Sequence, residues 1–228
     1  MSENKKTINW SSNQIIKYLT YIFLVLLILH IGSTLNLYFN GDVIKRLDFN
    51  NERNFPTYFA TLELLICGFL LLQISIKKFI SKNKYRFHWR ALSLIFFFLA
   101  LDESFRIHDR INRGEAGGWV AYYLVLVAII GVSYLFFVFS LPKKIRNLVI
   151  VAGAMYVGGA IGMEVVGVVL KDNNFGYNHV YYRICITVEE SLEFVGLIVF
   201  IKALLLYITT ELGGLVKQYK KFDLIIKS

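Results

Sequence analysis

Proline, cysteine and histidine are scarce in this 228-residue chain, and each shortage excludes something. Two prolines leave long helices uninterrupted. Two cysteines, Cys67 and Cys185, lie in or beside apolar runs without CxxC spacing, so they define neither a disulfide framework nor a zinc site. The four histidines form no HxxxH and no ExxH pair, against the patterns of membrane zinc hydrolases and di-iron bundles. Charged residues make up 18 %, below the quarter usual in soluble domains. No glycine-rich loop carries a Walker lysine after a strand, so nucleotide-driven chemistry has no seat here. No small-residue cleavage site follows the first apolar run, which reads as an uncleaved anchor rather than a signal peptide.

What the chain has is hydrocarbon. Hydrophobic residues reach 56 % and mean hydropathy is +0.54, which together indicate an all-α, polytopic membrane helical bundle. Apolar runs predict six transmembrane helices in one integral membrane domain, at about 15–38, 57–76, 91–108, 119–141, 148–170 and 184–208. Ser11, Ser12 or Asn13 caps the first, and Pro56 suits the first turn of the second. An even number of spans puts both termini on one side. Sixteen Lys and Arg fall on that side and eight on the other, with Lys202 inside the sixth span, so both termini are expected in the cytoplasm of a bacterial inner membrane. The basic loops then set topology and meet anionic headgroups; nucleic acid is not an expected partner. Aromatic residues at span ends and in Phe96-Phe97-Phe98 read as interfacial belts and packing.

Acids distribute in the opposite sense. Thirteen of the 16 lie on the outer side or in the outer half of the spans. Asp42, Asp48, Glu52, Asp109, Glu115 and Asp172 read as loop charges. Glu63, Asp102, Glu103, Glu164, Glu189, Glu190 and Glu193 fall within apolar sequence instead, at depths of ~9–15 Å from the outer span ends at 1.5 Å rise per residue. Ionisable groups at such depth face the bundle interior or a water-filled cavity. Glu189 and Glu193 are i, i+4 and Glu190 and Glu193 are i, i+3, so each pair shares a helix face. His108 lies about one turn above the Asp102-Glu103 pair, and His30 sits in the outer half of the first span. Carboxylates this close cannot all remain ionised and unpaired; some hold protons, or cations occupy the site.

Duller roles exist for several of these. Asp102–Arg106 and Asp109–Arg113 have the spacing of ion pairs at a helix end, and Glu189 and Glu190 suit a helix N-terminus. His30 alone suits a hydrogen-bonded bundle residue, His179 a surface or interfacial one, and His88 belongs to the cytoplasmic basic loop. Glu63, Glu164 and Glu193 have no basic residue at i±3 or i±4. In the fifth span Gly158 and Gly162 form a small-xxx-small pair, which predicts close approach of a neighbour and makes this the central helix.

Asp102-Glu103 with His108, Tyr156-Val157-Gly158-Gly159-Ala160 leading to Glu164, Glu189-Glu190-Ser191-Leu192-Glu193, and Asn54 to Thr57 together resemble a family of bacterial six-span membrane proteins with no assigned activity. The resemblance spans roughly residues 50–210. It implies an integral membrane protein with an acid-rich outer layer and supplies no reaction.

Three functions fit these residues. The first is a membrane metalloenzyme for a lipid or other apolar small molecule. Glu63, Glu103, Glu164, Glu189 and Glu193 would ligate iron, manganese or zinc, His108 and His30 would donate nitrogen, and Asp102, Glu103 and Glu190 would handle protons. The second is a cation- or proton-coupled transporter using the same carboxylates. The third is a scaffold, in a homo-oligomer or a membrane complex, whose acids pair with Arg106, Arg110 and Arg183.

Overall fold

The computed structural model describes residues 12–51, 53–105, 107 and 118–213. Among these the chain is helical with no strand. The helices are α1 (Ser12–Asn40), α2 (Phe55–Ile80), α3 (Arg86–Phe105), α4 (Gly118–Phe139), α5 (Lys143–Val157), α6 (Glu164–Asp172) and α7 (Val180–Glu211). A π-helical segment, Gly158–Met163, joins α5 to α6. Five helical stretches among the described residues are long and apolar enough to cross a membrane: Ser12–Asn40, Phe55–Ile80, Tyr122–Phe139, Lys143–Asp172 and Val180–Glu211. The expected third span falls on α3, which is not among the five. Arg86 and Arg90 at one end and Asp102 and Glu103 at the other dilute its hydrocarbon stretch.

Local chemistry explains the boundaries. Gly41 takes φ +80° just past α1 and its N–H bonds Leu37 O at 2.9 Å, the left-handed stop that glycine adopts without strain. Asn54 caps α2, its side chain accepting from Thr57 N at 3.1 Å, and Pro56 occupies the first turn as its missing N–H allows. Short turns at 81–85 and 140–142 fold α2 back on α3 and α4 back on α5.

The central helix is α7 rather than the glycine-rich fifth span. Its apolar stretch is more buried than that of any other span. It packs against α1, α2 and α5, with Phe194, Ile201 and Ala203 fully buried. Around Phe194 gather Phe23 of α1, Phe59 of α2 and Phe49 of the α1–α2 loop, at ring separations of 5.4–5.9 Å. The small-residue expectation is corrected in the same place. A Cβ on Gly158 or Gly162 would meet nothing within 4 Å, whereas one on Gly159 would lie 2.8 Å from Glu189 O and one on Gly196 2.9 Å from Tyr156 N. Gly159 and Gly196 therefore make the close helix contact, one from each partner.

Candidate functional site: a carboxylate layer around Glu193

Two polar centres lie alongside the N-terminal half of α7, which contributes Arg183 and Thr187 to one and Glu189 and Glu193 to the other. The first is built from the loop between α1 and α2. Asp48, expected as an ordinary loop charge, is only 1 % exposed. It receives Arg183 Nη2 at 2.6 Å on one carboxylate oxygen and Nη1 at 3.2 Å on the other, along with Asn51 Nδ2 at 2.6 Å and the Asn50 N–H at 3.2 Å. Arg183 Nη2 also reaches Thr34 Oγ1 at 3.0 Å. Such a forked pair and the extra donors satisfy the Asp48 carboxylate, while Arg183 Nε is buried without a hydrogen-bond partner among the described residues.

His30 belongs to this centre. Its Nδ1 accepts the Phe49 N–H at 3.0 Å, its Nε2 lies 3.0 Å from Thr187 Oγ1, and Phe49 stacks on the ring at 4.1 Å. The Thr187 hydroxyl donates to Arg183 O at 2.7 Å, so Nε2–H is the proton-bearing nitrogen. Nδ1 is thus committed to the loop and Nε2–H to Thr187 of α7, so the one lone pair of the ring is not left for a metal. His30 lies ten residues from the end of α1, so the loop descends ~15 Å between the helices. Asn54 Nδ2 ties it down through Asp48 O at 2.7 Å and Asn51 O at 2.6 Å. Non-helical backbone tolerates membrane depth only when enclosed by protein in this way.

The second centre collects most of the sequence-predicted acids. Glu193 lies within electrostatic reach of Glu103 of α3, Glu164 of α6 and Glu189 of its own helix. Tyr156 of α5 senses Glu193, Glu103 and Asp102. Asp102 is buried and accepts the Tyr123 hydroxyl of α4 at 2.9 Å. Glu190 lies half-buried on the next face of α7. On the outer edge Lys171 of α6 rests over the rings of Tyr177 and Tyr182, at 4.8 and 5.0 Å, and its charge reaches Glu164 and Glu189. One oxygen of Glu189 is buried without a hydrogen-bond partner.

The π-helical segment shapes this layer. Its Gly159 lies against Glu189 O and the Glu193 side chain, so α5 and α7 touch at the acids themselves. Its loosened backbone gives a carbonyl, Met163 O, to the Cys185 thiol at 3.3 Å. Such bulges recur where a helix must re-aim a side chain.

Glu63 stands apart. It is 0 % exposed on the α2 face that also carries Phe59 and Cys67, and neither carboxylate oxygen has a hydrogen-bond partner among the described residues. It does not join Glu193, Glu103 and Glu164. His108, Arg106, Arg110, Asp109 and Arg113 lie outside the described residues. Among the described residues no group of three or more His, Cys, Asp or Glu is arranged to hold a metal ion. Tyr156 and Tyr123 were not singled out as site residues by sequence. Tyr156 stands in the very segment that leads to Glu164, which was the available signal; for Tyr123 there was none.

A family model described as a domain of unknown function (DUF8692) matches residues 19–208. The chain belongs to that family. The matched region contains both polar centres, the π-helical segment and the buried loop. No curated protein matches the DUF8692 chain. No solved structure matches it either.

Proposed function

We propose that the chain is a six-span inner-membrane protein with cytoplasmic termini whose outer carboxylate layer takes up protons or a small cation in a transport step. One observation carries the reading: carboxylates from α3, α6 and α7 converge electrostatically on Glu193, with Tyr156 beside them. Like charges in a medium of low dielectric stay together only when neutralised, by a bound proton, a cation or a neighbouring base such as Lys171. The layer adjoins Lys171, whose ammonium rests over the rings of Tyr177 and Tyr182.

Two contacts support counting α3 as the sixth span. Asp102 near one end of α3 meets Tyr123 near the start of α4, and Trp89 near the other end packs on Phe137 near the end of α4, at 4.8 Å. The two helices therefore meet near both ends and cover the same height of the bundle. That leaves an even number of spans, which agrees with the excess of Lys and Arg on the side of the termini.

Purified protein in proteoliposomes carrying an internal pH dye tests the reading. Wild type should relax an imposed pH gradient faster than empty vesicles, and Glu193→Gln or Glu164→Gln should abolish that excess while keeping the helical fold. Flux equal to empty vesicles in wild type, or undiminished in both variants, overturns it. Elemental analysis of protein kept away from metal columns adds a second discriminator. One or two equivalents of iron, manganese or zinc would replace the transport reading with the metalloenzyme one.

A further inference from the structure

At the opposite end of the bundle from the carboxylates, where α1 and α5 begin and α7 ends, lies a groove of about 610 Å³. Its floor is hydrocarbon, including Ile16 of α1, Leu148 of α5 and Val199 of α7. Its polar lining includes Lys144 and Asn147 of α5 and Lys202 of α7. Lys202 is exposed, and its ammonium has no ion pair or hydrogen bond among the described residues. A lysine inside a spanning helix without a protein counter-charge requires one from elsewhere.

The register of the two helices brings the lysines together. α5 and α7 cross where Gly196 lies against Ala152 and Tyr156. Lys202 is six residues beyond Gly196, ~9 Å toward the bundle end, which puts it level with Leu148. Lys144 is four residues further out, ~6 Å. Both lysines line the same groove, about 6 Å apart in height along the helix axes, a difference within the reach of a four-carbon stem.

We propose that this groove is a binding site for one anionic phospholipid, its phosphate held between Lys144 and Lys202 and an acyl chain laid along Leu148 and Val199. A positive pair over a hydrocarbon floor matches an anionic headgroup attached to a chain, and basic pockets between spanning helices serve this purpose at cytoplasmic faces. The site is independent of the carboxylate layer.

Native mass spectrometry in a mild detergent tests it, with phosphatidylglycerol and phosphatidylcholine of identical oleoyl chains as probes. Wild type should retain one phosphatidylglycerol with at least tenfold preference. Lys144→Gln/Lys202→Gln should lose the preference, and Lys143→Gln, which removes one positive charge next to the groove but outside its lining, should keep it. No headgroup preference in wild type, preference surviving in the double variant, or displacement of the lipid by millimolar inorganic phosphate each overturns the proposal. If the double variant misfolds, Val199→Trp decides instead: it fills the trough with both lysines intact, and lipid retention equal to wild type would refute the site.

Discussion

Asp48 and Arg183 are 135 residues apart in sequence, and together they hold the α1–α2 loop inside the bundle. Asp48→Asn keeps the size of the side chain and removes its charge. Arg183 is 3 % exposed and would then be an uncompensated cation among α1, α7 and the loop. Breaking one member of a buried ion pair costs about 3–5 kcal/mol. The Asn50 and Asn51 donors at 3.2 and 2.6 Å also lose their charged acceptor, so the upper part of that range is expected here. Asp42→Asn is the control. Asp42 is exposed and accepts one N–H, from Val43 at 2.8 Å, so its effect should stay within about 0.5 kcal/mol. The assay is reversible unfolding of the detergent-solubilised protein by dodecyl sulfate, followed by helical circular dichroism. A double-mutant cycle with Arg183→Met isolates the pair, since the combined variant leaves no unpaired ion behind, and a coupling of at least ~2 kcal/mol is expected. A loss below about 1 kcal/mol for Asp48→Asn, or a coupling near zero, would show that the pair does not hold the loop.

Three further outcomes follow from the same packing. Gly159→Val sets a side chain 2.8 Å from Glu189 O and should lower stability by about 1–3 kcal/mol, whereas Gly158→Ala and Gly162→Ala, with nothing within 4 Å, should match wild type or exceed it by up to ~1 kcal/mol in the same unfolding titration. Asn54→Ala removes the α2 cap and the amide that binds Asp48 O and Asn51 O, so a loss of about 1–2 kcal/mol and faster proteolysis of the loop are expected; unchanged cleavage would argue against the clamp. Glu63→Met replaces a fully buried carboxyl group that has no hydrogen-bond partner among the described residues by a side chain of similar length, and should stabilise the purified protein by about 1–3 kcal/mol. A destabilised Glu63→Met variant would reveal a partner that Glu63 needs.

The sequence announced its helices because twenty-residue apolar runs have few other solutions. Counting 1.5 Å per residue from each span end assigns the acids similar depths, and Glu103, Glu164, Glu189 and Glu193 do come within electrostatic reach of one another, while Glu63 does not join them. Direction around the helix was legible only in part. Glu189 and Glu193 share a face by spacing, yet nothing local tells that Glu103 and Glu164 turn toward them, or that Glu63 turns toward Phe59 and Cys67 instead. Asp48 was harder still. Its neighbours Leu47 and Phe49 are apolar within a polar loop, which hints at burial, but the insertion depends on Arg183 at the far end of the chain and on both nitrogens of His30. The choice of contact glycines was equally non-local. Gly158 and Gly162 have the familiar spacing, and the partner surface selected Gly159 and Gly196.

The phase of the helix pair explains why a π-helical segment belongs where it is. Along α5 the residues against α7 are Ala152, Tyr156 and Gly159, at steps of four and three, as expected for one face of an α-helix. Continued regularly, the next positions on that face would be 163 and then 166 or 167, and Glu164 would stand about 140° from Gly159, turned away from α7. The bulge absorbs one extra residue and brings Glu164 back to within about 40° of that face. The stripe then resumes with Gly167, whose added Cβ would meet Tyr182 and Cys185, and Lys171, which rests over Tyr182. One inserted residue thereby places a carboxylate and a lysine against Glu189 and Glu193. Met163 O, at the end of the bulge, also accepts the thiol of Cys185 from the same facing helix. A bulge whose re-aimed side chains meet α7 specifies the carboxylate layer, because a regular helix with the same residues would leave Glu193 without Glu164.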